Sequence, residues 1–187
     1  MNGKKTHSPL TIHHSLKRWS PVLALVLLLA IAFTNSSCGV YSFRDVAIPD
    51  SIKSIRIQYI DNKAPYVNPQ LSPALSERLR RKIQGQTRLS LTNADNADYD
   101  VKAVVTDYAV TTSGISNKEA NLNRLTITVH ISLTNNRNPN SPPVEYDINR
   151  PFDFGASLSL QQAEAALSEE IIRNLTDDIF NRLFSNW

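Results

Sequence analysis

The chain has 187 residues, with twenty basic and seventeen acidic side chains, four histidines and a single cysteine. One cysteine excludes an internal disulfide framework, and the length allows one domain with its own core. Four of the bases (Lys4, Lys5, Lys17 and Arg18) precede residue 38, where no acid occurs, so the remainder is net −1 and no nucleic-acid partner is expected.

The basic leader runs into twelve apolar residues, Val22 to Phe33. A bilayer needs about 18 to 20 apolar residues, so this run suits the hydrophobic region of a secretory signal rather than a span. It ends in the small polar residues Thr34-Asn35-Ser36-Ser37, and Cys38 follows directly. That arrangement belongs to bacterial lipoproteins, in which the thiol takes a diacylglyceryl group and becomes the new N-terminus. Asn35 stands where such signals usually carry Leu. Residues 1–37 are therefore expected to be a lipoprotein signal peptide, with Cys38 the lipidation site. Several acyl chains there would make membrane attachment permanent, whereas one is marginal.

Residues 38–50 read as an extended tether with apolar anchors, or as a plain spacer, and residues 51–187 as one domain. Ile55, Ile57 and Tyr59 alternate with Arg56 and Gln58, a strand with one buried face. Asp61 to Pro69 reads as a polar loop. Ser72-Pro73 offers a helix start with the hydroxyl as cap, Leu75, Leu79 and Ile83 form its stripe, and Gly85 is placed to end it. Arg78, Arg80, Arg81 and Lys82 cover the rest, either as a solvated face, with Glu77 and Arg81 paired, or as a patch for an anionic partner. Arg88 to Thr92 reads as a short strand.

Tyr99 to Thr111 is a long strand whose apolar residues change phase between Val105 and Tyr108, which predicts a bulge near Thr106. Ser113 to Asn121 reads as a polar loop. Leu125, Ile127, Val129, Ile131 and Leu133 alternate with Thr126, Thr128, His130, Ser132 and Thr134, a strand with one dry and one polar face. A third alternating segment, Val144 to Phe154, contains Pro151 and so belongs at an edge or breaks there. Ser159 with Gln162 has the capping-box spacing, and Leu160, Leu167, Ile171, Leu175, Ile179 and Leu183 then predict a helix of some 25 residues, roughly 38 Å. Such an order predicts an α+β fold, with both helices on one face of a mostly antiparallel sheet.

Little points to catalysis. His130 is the one histidine after the leader and falls on a polar strand face, no Cys/His/Asp/Glu cluster has metal spacing, and Gly-rich phosphate loops are lacking. No enzyme activity, metal or cofactor is expected. What stands out is a strand face rich in Thr, Tyr and scattered Arg, suited to docking on a partner or receiving an amphiphile.

Cys38-Gly39-Val40-Tyr41-Ser42-Phe43, the helix ending near Gly85, the Ala97-Asp98-Tyr99 entry to the long strand and the long last helix resemble the lipopolysaccharide-assembly lipoprotein family LptE, over Cys38 to Trp187. The resemblance implies two helices packed on a four-stranded mixed sheet. It implies an outer-membrane, lipid-anchored, periplasm-facing protein that plugs the β-barrel LptD and helps lipopolysaccharide reach the surface. The family's basic lipopolysaccharide contacts lie in loops at one end of the sheet, where this sequence offers Lys118, with Arg124 just inside the strand. The other reading is a pilotin-like or accessory lipoprotein of a different envelope machine.

Overall fold

The computed structural model describes residues 48–116 and 119–184. Cys38, the signal segment and Lys118 lie outside the described residues. The elements are β1 (Ser54–Ile57), β2 (Asp61–Asn62), α1 (Leu71–Gln86), β3 (Ser90–Leu91), β4 (Tyr99–Ser116), β5 (Glu119–Asn135), β6 (Val144–Gly155) and α2 (Leu160–Phe184). They form one mixed sheet in the order β3-β1-β4-β5-β6, with β2 also on β4.

The fold is α+β, but the sheet has six strands where the family resemblance implied four. The extra strands are β2 and β3, each of two residues. Both pair in parallel, β3 on β1 within the segment read as a short strand, and β2 on Val104–Val105, so that chain read as loop gains ladder bonds without a long apolar alternation. The long strands β4, β5 and β6 are antiparallel throughout.

Alternation fixes which face is dry. Val101, Ala103 and Val105 of β4 are buried with Leu125, Ile127, Val129 and Ile131 of β5 and Ile148, Phe152 and Phe154 of β6. A slip of one residue would turn this whole set to water. The predicted bulge is present: Val105 pairs with Val129 and Asp107 with Thr128, leaving Thr106 as the inserted residue. The insertion returns Tyr108 to the buried face at 5% exposure. Strand β6 is an edge strand and continues through Pro151, which its outer position tolerates. The expected loop from Ser113 is largely strand, since β4 and β5 extend to Ser116 and Glu119 with register shifts around Gly114.

Both helices cover the dry face. Helix α1 buries Leu75, Leu79 and Ile83 at 0% exposure, together with Leu71, and its start differs from the Ser72 cap read from sequence. The turn begins earlier: Asn68 Oδ1 accepts the N–H of Gln70 at 2.9 Å and the Asn68 carbonyl that of Leu71 at 3.3 Å. Ser72 thus lies inside the first turn, buried. Ser76 carries the useful hydroxyl, donating to the Ser72 carbonyl at 2.7 Å and accepting the Ile60 N–H at 3.0 Å. Gly85 is not a left-handed end residue either. The helix continues to Gln86 and is closed by Thr87, whose N–H and Oγ1 both donate to the Ile83 carbonyl. Likewise β1 stops at Ile57, so Tyr59 is 57% exposed and Ile60 is the buried residue.

Helix α2 has the predicted length and the predicted capping box, with Ser159 N–H on Gln162 Oε1 at 2.9 Å and Gln162 N–H on Ser159 Oγ at 3.3 Å. Its stripe is broader than expected: Ile172, Thr176, Phe180 and Phe184 are buried as well, while Leu160, Leu167 and Leu183 pack at the margin. The helices run in the same direction, because Arg78 pairs with Glu169 and Lys82 with Asp177. Part of the basic face of α1 is thereby neutralised by α2, and Arg81 pairs with Glu77 as its spacing predicted.

Candidate functional site

No helix among the described residues is long and apolar enough to cross a membrane. Among the same residues no three His, Cys, Asp or Glu side chains group as metal ligands. His130 sits on the face of β5 away from the helices, with Nδ1 2.8 Å from Asp147 Oδ1 on the exposed edge strand. Among the described residues, Asp147 is its one side-chain hydrogen-bond partner.

That helix-free face of the sheet is mostly polar. Cross-strand register sets its rows: Asp100 opposite Thr134, Lys102 opposite Ser132 and Glu145, Val104 opposite His130 and Asp147, Asp107 opposite Thr128 and Asn149, and Thr111 opposite Arg124 and Asp153. The arginines here are paired in place with carboxylates. Arg56 contacts Asp95 and holds Asp100 through Nε at 2.8 Å and Nη2 at 2.7 Å, which keeps the guanidinium pKa above its ordinary value and the Asp100 carboxyl below. Arg124, the candidate lipopolysaccharide contact, forms the same fork with Asp153 at 2.7 and 2.9 Å. That pair raises the Arg124 pKa and lowers that of Asp153, and both side chains stay nearly half exposed. Arg124 thus meets any anion in competition with a carboxylate already in place. Lys118 lies outside the described residues, so the two candidates are not brought together here.

Two further groupings escape a reading of the sequence. Asp98 is 7% exposed and ties three segments. Its Oδ2 accepts the backbone N–H groups of Lys53 at 2.7 Å and Ser54 at 3.0 Å, its Oδ1 accepts Arg137 Nε at 2.5 Å, and its carbonyl accepts the Asn136 N–H at 2.8 Å. These bonds, that of Lys53 foremost, hold the carboxyl pKa down to about 2. The only sequence signal was its place in Ala97-Asp98-Tyr99.

The second grouping is a cleft of about 310 Å³ where the starts of both helices approach β4. Tyr66 and Tyr108 stack with ring centres 5.3 Å apart, and Glu164 of α2 accepts both hydroxyls. Burial, followed by the hydrogen bond to Glu164, raises the Tyr108 pKa. Nothing in the spacing of Tyr66, Tyr108 and Glu164 could reveal this, because they lie on a loop, a strand and a helix.

Three comparisons place the architecture among known proteins. A family model described as LptE, lipopolysaccharide-assembly, matches residues 52–183. No curated relative matches the sequence. Among solved structures, a neuraminyllactose-binding hemagglutinin homolog from Helicobacter pylori is 7% identical with a TM-score of 0.53, covering 78% of this chain and 90% of its own. A Xanthomonas campestris protein is 13% identical with a TM-score of 0.51, covering 75% and 89%. An uncharacterised lipoprotein B from Nitrosomonas europaea is 16% identical, covering 75% and 84%, and fits more loosely at a TM-score of 0.47. At these identities the first two share the fold and nothing more.

Proposed function

The chain belongs to the lipopolysaccharide-assembly family LptE, and from that premise we propose that it is an outer-membrane lipoprotein that seats in an LptD-type β-barrel and assists lipopolysaccharide transport without performing chemistry itself. A role in lipopolysaccharide assembly comes with the family. The observation that carries the finer reading is the match over residues 52–183, which takes in every strand and nearly all of both helices. The polar helix-free face supports it, since the lumen of a large membrane barrel is polar and a face of threonines and carboxylate-paired arginines can meet it on like terms.

In this reading residues 1–37 are removed and Cys38 carries the lipid, which holds the domain on the periplasmic side of the outer membrane. Lys118 and Arg124 are the residues offered to lipopolysaccharide phosphates. The decisive test is affinity capture of the lipidated chain from detergent-solubilised outer membranes. A stoichiometric large β-barrel is expected in the eluate. Capture of the lipoprotein alone would remove the proposal. Capture of a different envelope assembly, with surface lipopolysaccharide unchanged on depletion, would replace it with the accessory-lipoprotein reading.

A further inference from the structure

Most carboxylates drawn into this fold face a cation: Asp98 meets Arg137, Asp100 meets Arg56, Asp177 meets Lys82 and Asp178 meets Arg150. Two half-buried ones do not, among the described residues. Asp107 accepts the backbone N–H of Tyr108 at 2.9 Å. Glu164 stands at the cleft between the helix starts and has neutral donors only. Its Oε1 accepts the Tyr108 hydroxyl at 2.6 Å and Asn68 Nδ2 at 3.1 Å, and its Oε2 accepts the Tyr66 hydroxyl at 3.2 Å.

A carboxylate oxygen can accept two hydrogen bonds, so Oε1 is filled and Oε2 keeps one free acceptor position. The cleft lining contains no lysine or arginine, and Glu164 is its single charge. Tyr66 is 38% exposed. Burial and then the charge of Glu164 push its hydroxyl pKa up, as a negative wall without a counter-ion would. Such a wall repels phosphate and attracts a cation, which a tyrosine face also favours. The remaining lining includes Leu71, Ile171 and Ile172, an apolar surface for a short hydrocarbon arm.

We infer that this cleft is a binding site for a small organic cation, a protonated primary amine or a guanidinium on an aliphatic arm, held by Glu164 and the ring of Tyr66. The site is independent of lipopolysaccharide phosphates and of Arg124. Soluble amines and the ethanolamine headgroup of a lipid share this chemistry.

The test is calorimetric and thermal titration of the full chain in detergent with agmatine, cadaverine and glycerophosphoethanolamine, and with inorganic phosphate and glucose as controls. Agmatine and cadaverine should bind and raise the unfolding midpoint, and the controls should do neither. Glu164→Gln keeps an oxygen for Tyr108 but loses the charge, and should weaken binding roughly tenfold or more. Ser168→Arg acts differently: position 168 is exposed one turn beyond Glu164, and a guanidinium there would occupy the carboxylate and block the cleft without disturbing buried contacts. Binding of agmatine and cadaverine alone assigns a soluble ligand, and comparable binding of glycerophosphoethanolamine assigns the headgroup. Absence of binding by all three amines overturns the inference, as does full affinity in both variants.

Discussion

Asp98 shows how one side chain can hold segments that are remote in sequence. Its carboxylate fixes the start of β1 through Lys53 and Ser54 and the turn after β5 through Arg137, while its own residue opens β4. Asp98→Asn leaves one acceptor oxygen where two are used, and should lower the thermal midpoint at neutral pH. The pH dependence has a definite sign. The folded pKa of about 2 lies below the ordinary 3.8, so the stabilisation is complete above the ordinary value and fades as pH falls through about 4 to about 2. Melts of wild type and variant should therefore differ most near pH 7 and converge near pH 2, and parallel curves would refute the assignment. Arg124 gives a second residue-scale prediction. Because Asp153 already holds it in a two-bond fork, Asp153→Asn should free the guanidinium and strengthen lipopolysaccharide binding, whereas Lys118→Glu with Arg124→Glu should weaken it. Equal binding by all variants, measured on purified lipopolysaccharide, would assign Arg124 to cross-strand pairing alone.

At the scale of elements, what could be read ahead depended on period and range. The alternation of Leu125 to Ile131 determined β5, and the change of phase between Val105 and Tyr108 located the bulge at Thr106. The helix stripes were legible for the same reason, as apolar positions three and four apart. Boundaries were less so. Ser72 has the chemistry of a cap, but Asn68 turns the chain first, and Gly85 is simply a helical residue. Of the two-residue strands, β3 falls within Arg88 to Thr92, the segment read as a short strand, whereas β2 had no signal, since it exists only because β4 offers free ladder groups beside it. Nor could the sequence choose between a solvated basic face on α1 and a ligand patch. The structure gives a third arrangement, in which Arg78 and Lys82 pair with α2 and Lys82 also lies over the Phe180 ring, 5.0 Å from its centre. The bulge gives the sharpest test at this scale. Deleting Thr106 leaves Val105, Asp107 and Tyr108 in simple alternation, so Tyr108 stays opposite Ile127 on the buried face and only the extra local twist is lost. Unfolding in denaturant should show a loss below about 1 kcal/mol. A loss of about 2 to 5 kcal/mol, the range for removing a large core side chain, would mean that the inserted residue is what seats Tyr108 against the core.

For the whole molecule, the two faces of the sheet divide the work. One face carries two parallel helices and the continuous apolar core, so the domain can fold without a partner. The other is polar, and its Arg56 and Arg124 are already paired with carboxylates, so a partner that covers it need not strip those arginines of their counter-ions. On this division the lipid is expected to contribute location rather than fold. Cys38→Ser should leave the unfolding midpoint of the domain unchanged, because no described core residue precedes Ile52. It should also shift the protein from the membrane fraction to the soluble periplasmic fraction, since several acyl chains bind far more tightly than any exposed residue here could. A barrel interface of ordinary size could still retain part of the unlipidated protein, at roughly 1,200 to 2,000 Å² buried. Fractionation with and without the barrel partner therefore separates the two contributions. Retention that depends on the barrel locates affinity in the domain, and complete release in its presence assigns it to the anchor. Wild-type retention without the barrel would show that the thiol is not the membrane attachment.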